Sequence, residues 1–304
     1  MIKELGIIGS SSMIATQATE QLERLSDVKL TSGDLSGENP IDITDAKSVD
    51  DFFKKNDQNI NWVILFAAYT NVQGAEEQRN NKKGSCWKVN VEGTRNIARA
   101  CKKYGKKLVF FSTDFVFDGS SGPYSEEDST GPDIDKISWY GISKIEGEKA
   151  IAQTLDPNDF IILRIAYPYS GVDTGKEDLA LRTIHYFEKE STMYPMYDDQ
   201  IISPTYIPDI APAILTLIEG ESRGIFHLVS PTLTTQYEFA KRLLEHYTNQ
   251  PIEIERGKLS EALKKDGAIP RPMKGGLKTG KIISLGIHPT TWEVGIEKIP
   301  RSRN

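Results

Sequence analysis

At 304 residues, with 38% hydrophobic and 26% charged side chains, the chain is long enough for about two domains or one large sheet-based unit, and too apolar to be wholly disordered. Its 37 basic and 43 acidic residues leave a formal charge of −6, which gives neither nucleic acid nor an anionic membrane an electrostatic reason to bind. Two cysteines, Cys86 and Cys101, form no C-x-x-C and lie apart from any histidine cluster, which argues against a disulfide scaffold and for free thiols in the cytoplasm.

The N-terminal apolar stretch carries no cleavage pattern and reads as a first strand, Leu5 to Ile8, followed by a helix from Ile14 to Leu25. Val28 to Thr31 is a second strand, Val49 to Lys55 a helix, and Trp62 to Phe66 a third strand. A long helix is predicted from Val89 to Tyr104, then a strand at Leu108 to Phe111, a helix from Tyr140 to Thr154 and a strand at Phe160 to Leu163. Gly224 to Ser230 reads as one further strand. Apolar runs of four or five suit strands buried on both faces, and helices between them imply right-handed crossovers. The fold class is therefore α/β, a doubly wound parallel sheet of Rossmann type with a smaller mixed substrate-binding lobe. Residues 1–166 form the dinucleotide-binding domain, with a returning segment at about 203–232; residues 167–202 and 233–304 form the substrate-binding lobe. No apolar run reaches the ~18 residues of a membrane helix.

A dinucleotide turn belongs after the first strand. The G-x-x-G-x-x-G spacing falls on Gly9, Ser12 and Ala15: glycine for the tight turn, serine where backbone approaches pyrophosphate, alanine where helix packs on strand. Asp42, in Asp42-Ile43-Thr44-Asp45, is placed to accept from an adenine amino group, and Ala67-Ala68-Tyr69 follows the third strand with small residues for a ribose. Asp34, ending the second strand without an adjacent arginine, leans towards NADH over NADPH, while Lys29 keeps NADPH open.

Tyr-x-x-x-Lys occurs twice, at Tyr140/Lys144 and Tyr237/Lys241. The first pair opens a helix after the strand that runs into Ser112-Thr113-Asp114, and its i, i+4 spacing puts both side chains on one helical face. An ammonium there should draw the phenol's pKa down, letting Tyr140 protonate a carbonyl as hydride arrives, with Lys144 also holding the nicotinamide ribose and Thr113 polarising the same carbonyl. Tyr237 lies in an amphipathic helix with no such strand end and is read as structural. His185, His227, His246 and His288 are scattered without ligand spacing, so no metal site is expected.

These residues resemble the extended short-chain dehydrogenase/reductases, and among them the dTDP-4-dehydrorhamnose reductase family. The likeness is carried by Ala67-Ala68-Tyr69-Thr70-Asn71-Val72, Val89-Asn90-Val91-Glu92-Gly93-Thr94, Phe111 to Gly119, Tyr140-Gly141-Ile142-Ser143-Lys144 with Gly147-Glu148, Leu163-Arg164, Asp199-Gln200, Ser203-Pro204-Thr205 and Arg271-Pro272. It implies reduction, by NADH or NADPH, of a 4-keto group on a nucleotide-linked 6-deoxyhexose, with Thr113, Tyr140 and Lys144 catalytic. It places Gly9, Ser12, Met13, Ile14, Asp42, Ile43, Ala67, Ala68 and Tyr69 at the cofactor, and Thr113, Asp114 and Tyr167 at the sugar, Tyr167 standing where the family often has tryptophan. A homodimer is compatible with it. Two other readings share the likeness: a non-catalytic subunit resembling the regulatory β subunit of methionine adenosyltransferase, and a nucleotide-sugar epimerase that retains NAD.

Overall fold

The computed structural model describes residues 4–56 and 60–302. Six parallel strands, β1 (Glu4–Ile8), β2 (Lys29–Gly33), β3 (Trp62–Leu65), β4 (Lys107–Thr113), β5 (Phe160–Ile165) and β6 (Gly224–His227), lie in the order β2-β1-β3-β4-β5-β6. The longer helices are α1 (Met13–Leu25), α2 (Ala46–Asn56), α3 (Thr94–Tyr104), α4 (Trp139–Thr154), α5 (Leu179–Glu190), α6 (Ile210–Glu219) and α7 (Gln236–Thr248).

The period of two along β4 explains its uninterrupted apolar run. Val109 and Phe111 join a cluster with Ala15, Ala18 and Leu22 of α1 and Ile210, Ile214 and Leu217 of α6. Leu108 and Phe110 join the opposite one, with Phe52 and Phe53 of α2, Ile97 and Cys101 of α3 and Ile151 of α4. Both faces are covered, so no polar alternation survives in the strand.

The predicted elements recur with shifted ends: β2 begins one residue later than the reading and runs to Gly33, and β6 stops at His227. One helix differs in kind. The segment read as a single helix from Val89 starts with a π-helical turn, Lys88–Gly93, before α3 takes over at Thr94. The wider turn lets buried Asn90 reach sideways: its Oδ1 accepts from Tyr69 N at 2.8 Å and its Nδ2 donates to Tyr69 O at 2.9 Å and Ser143 Oγ at 2.9 Å.

Chain order reverses about β1, with β2 on one side and β3 on the other, so a crevice opens past the carboxyl ends of the strands. A further apolar cluster, including Tyr169, Ile184, Met196, Tyr237, Phe239, Leu243, Trp292 and Ile296, gathers the chain beyond β5. Two short ladders belong to this part, an antiparallel pair Ile201–Ile202 with Thr234–Thr235 and a parallel pair Met196–Tyr197 with Arg256–Gly257. No helix among the described residues is long and apolar enough to cross a membrane.

Candidate active site

The turn after β1 is built around Gly9. Its φ of +83° suits glycine, and a Cβ there would collide with the Ala67 backbone, so β1 and the segment after β3 approach closely only because that atom is missing. Ser12 caps α1, its hydroxyl oxygen accepting from Ala15 N at 3.2 Å, and no acidic residue occupies the helix's first turn. The positive end of α1 is therefore open to an anion. Asp34 accepts from Ser11 N and Leu35 N, both at 2.8 Å, and these bonds hold its carboxyl below the usual range against the effect of burial. Lys176, from the segment before α5, donates to Ser11 O at 2.8 Å and ties the two halves of the chain across the turn.

Thr113 ends β4. Its hydroxyl oxygen accepts from Phe115 N at 3.3 Å and its hydrogen goes to Asp114 Oδ1 at 3.1 Å. Opposite, Ser138 caps α4 through Gly141 N, and Glu76 accepts from Trp139 N at 2.8 Å, which sets the start of the helix. A Cβ at Gly141 would collide with the Phe115 carbonyl, and one at Gly147 would lie 2.7 Å from Asn90 O. The two glycines let α4 press against the end of β4 and the π turn, and Tyr140 meets Thr113 as a result. The backbone of Tyr140 is held in turn by Ser143 Oγ, donating to Tyr140 O at 2.7 Å. Asn90, Ser143, Gly141, Gly147 and Glu76 belong to the stretches that carry the family likeness, but their sequence context assigns them no function at the site; their part in it is set by these contacts.

Lys144 is 2% exposed, with Nζ donating to Phe111 O at 2.7 Å and lying 4.0 Å from the centre of the Phe110 ring. Burial lowers its pKa to about 7. The expected depression of the Tyr140 pKa by this ammonium is not found: burial pushes the phenol up, Asp114 and Cys86 add to the rise, and only the hydrogen bond with Thr113 opposes it. Burial of the phenol outweighs any charge nearby, and the Lys144 Nζ turns to the Phe111 carbonyl. The phenol is thus held protonated, the form a proton donor requires.

Burial also raises Asp114, 1% exposed, to about 7. The folded-state value lies above the ~3.9 of an unfolded aspartate, so the stability this group contributes is present below about pH 4 and is lost as pH rises to about 7. The melting temperature of the wild type should therefore fall relative to Asp114→Asn across that window, and the gap should stay flat above it. A gap independent of pH in calorimetric scans would contradict the assignment.

Ser12, Met13, Ile14, Ala68, Thr113, Asp114, Tyr140, Lys144 and Tyr167 line a single cleft of about 450 Å³, floored by the stacked rings of Phe66 and Phe111, 4.6 Å apart. Gly9, Asp42, Ile43, Ala67 and Tyr69 do not line it. Gly9 forms the turn itself and packs on Ala67; exposed Asp42 folds back on Thr44; Ile43 is buried against Gly93. Tyr69 hydrogen-bonds Asn90 and Gln78. The second Tyr/Lys pair is elsewhere: Tyr237 is buried under Arg256, 4.0 Å from its ring centre, and Lys241 pairs with Glu245. Among the described residues no group of three or more histidines, cysteines or acids could hold a metal ion.

The family described as the RmlD substrate binding domain matches residues 3–302. The chain belongs to this family. Members similar to it include a dTDP-4-dehydrorhamnose reductase of Aggregatibacter actinomycetemcomitans, 31% identical over 273 residues, covering 85% of this chain and 86% of that protein. One from Mycobacterium tuberculosis is 32% identical over 219 residues, 70% of this chain, which spans 66% of that protein. Among solved structures, the Bacillus anthracis dTDP-4-dehydrorhamnose reductase in complex with NADP superposes with a TM-score of 0.84 at 26% identity, covering 98% of this chain and 99% of that one. The RmlD-family chain thus shares its whole architecture with an NADP-bound relative.

Proposed function

We propose that this protein is an NAD(P)H-dependent reductase of the 4-keto group of a nucleotide-linked 6-deoxyhexose, with Thr113, Tyr140 and Lys144 as its catalytic residues. One observation carries the reading: a protonated phenol, a threonine hydroxyl and a buried lysine meet in a single cleft that opens beside the positive end of α1. Its relatives include a dTDP-4-dehydrorhamnose reductase and a dTDP-4-keto-6-deoxy-D-glucose reductase, which supports the same substrate class.

The residues present fit a dinucleotide. The cradle at Gly9 admits backbone approach, and Ser12, Met13 and Ile14 bring the start of α1 to where a diphosphate would sit. Ala68 and Lys144 would face the nicotinamide half, and Asp42 and Ile43 the adenine end. When bound, NAD(P)H supplies the hydride. Thr113 turns its hydroxyl hydrogen from Asp114 to the sugar's carbonyl oxygen and polarises it, and Tyr140 gives its phenolic proton to that oxygen. Lys144, whose pKa burial lowers to about 7, would donate to the ribose hydroxyls in its charged form. Residues 167–202 and 233–304 act as the substrate lobe, and the free buried thiols of Cys86 and Cys101 suit the reducing cytoplasm.

The test is steady-state NADH and NADPH oxidation against dTDP-, UDP- and GDP-linked 4-keto-6-deoxyhexoses. Oxidation dependent on one of these sugars is the expected result. Cofactor carried through gel filtration without net oxidation would replace this reading by the epimerase, and no thermal shift with either cofactor would replace it by the regulatory subunit; a ligand at ~100 times its dissociation constant stabilises by ~2.7 kcal/mol.

A further inference from the structure

Tyr167 stands in the cleft with a left-handed backbone, φ +45°, a conformation that a bulky residue keeps only where its surroundings impose it. Its hydroxyl accepts from Gln200 Nε2 at 3.0 Å, and the same nitrogen donates to Pro272 O at 3.0 Å. A carbonyl can only accept, so the Gln200 atom facing both groups is the amino nitrogen and the amide has one allowed orientation. With that orientation Gln200 Oε1 accepts from Gln236 Nε2 at 2.9 Å, and Gln236 also hydrogen-bonds Tyr167. Gln200 is 0% exposed, and both ends of its amide are engaged. Pro272 is itself anchored: Gly119, at φ +74°, lies so close beneath it that a Cβ would collide with its backbone.

The consequence falls on Tyr167. An amino nitrogen cannot accept, so the hydrogen of the Tyr167 hydroxyl must point away from Gln200. Asp114 lines the same cleft, and its Oδ2 is buried without a hydrogen-bond partner among the described residues. Gly275 keeps that oxygen uncrowded, since a Cβ there would come within 3.1 Å of it. A single hydroxyl that accepts from Tyr167 and donates to Asp114 would satisfy both groups, and sugars carry such hydroxyls.

We propose that Gln200, oriented by Gln236 and the Pro272 carbonyl, is a positioning residue for sugar recognition, presenting the Tyr167 hydroxyl as a donor beside the free oxygen of Asp114. The proposal rests on the reading of the cleft as a nucleotide-sugar site and adds a polarity to it: the Tyr167 side of the pocket selects a hydroxyl that accepts.

The test is calorimetric titration of the full-length protein with a dTDP-linked 6-deoxyhexose and with dTDP alone, beside steady-state kinetics. Tyr167→Phe and Gln200→Ala should each weaken sugar binding by about tenfold, the size of one hydrogen bond to a polar partner, with the loss in KM and the affinity for dTDP unchanged. Gln200→Ala introduced into Tyr167→Phe should cost nothing further, because the group it orients is already gone. Gln236→Ala, in a less buried position, should move sugar affinity in the same direction by a smaller factor, and it replaces Gln200→Ala in the comparison if that variant does not fold. Equal losses from the glutamine variant with and without the Tyr167 hydroxyl, or losses shared by dTDP alone, would overturn the proposal. If the wild type binds no dTDP-linked sugar, the reading of the cleft fails and the proposal with it; if it binds and the glutamine variants bind equally well, only the proposal fails.

Discussion

Replacing Tyr140 by phenylalanine is expected to lower kcat by about 10²–10⁴-fold, the contribution of a positioned proton donor. The dissociation constant for NADPH should stay close to the wild-type value. The substitution removes one oxygen and keeps the ring, which packs edge-on to Phe115 with centroids 5.8 Å apart, so the cleft retains its shape. The helix start is equally unaffected, because it depends on the Ser138 cap, the bond from Trp139 N to Glu76 and the Ser143 bond to the Tyr140 backbone. Single-turnover reduction monitored by NADPH absorbance, beside a fluorescence titration of the cofactor, separates the two quantities. Turnover near the wild-type rate would remove Tyr140 from the chemistry.

Glu148→Ala should lower the unfolding free energy by about 3–5 kcal/mol, because it leaves the Arg164 charge buried without its partner. Arg164 is 1% exposed and Glu148 7%, and the guanidinium meets the carboxylate with two bonds, at 3.0 and 2.7 Å. The remaining side of Arg164 faces His227 Nε2 at 3.4 Å, while His227 Nδ1 lies 3.1 Å from Lys278 O. A carbonyl accepts and a guanidinium donates, so the imidazole is neutral with its hydrogen on Nδ1, in agreement with burial and Arg164 lowering its pKa to about 3. The neutral imidazole brings no negative charge to the guanidinium and cannot take the carboxylate's place. For a chain of 304 residues the melting temperature should fall by roughly 5–8 °C. Replacing Glu148 and Arg164 together by methionine should recover most of the loss; a double variant as unstable as Glu148→Ala would show that the cost is lost packing and not the stranded charge. Glu148 lies one turn beyond Lys144 and supports its charge, so the single variant should also shift the fraction of Lys144 protonated near neutral pH.

Much of this protein follows from local pattern. Runs such as Val63-Ile64-Leu65 and Val109-Phe110-Phe111 mark the sheet because strands covered on both faces have no polar side to show. Tyr140 and Lys144 share a face because any helix returns after about 3.6 residues. That geometry is just as true of Tyr237 and Lys241, and only the strand end preceding the first pair told them apart.

What tertiary structure decided is how the groups are charged and aimed. The lysine turns to the Phe111 carbonyl, the Tyr140 phenol is pushed up and Asp114 is raised, because each loses water to segments far away in the chain. Asn90 becomes a clasp through a π turn that a 3.6-residue period does not announce. Gln200, Gln236 and Pro272 lie 36 to 72 residues apart and share one hydrogen-bond chain only after folding. Periodicity is a property of neighbours along the backbone, whereas desolvation and hydrogen-bond direction belong to neighbours in space.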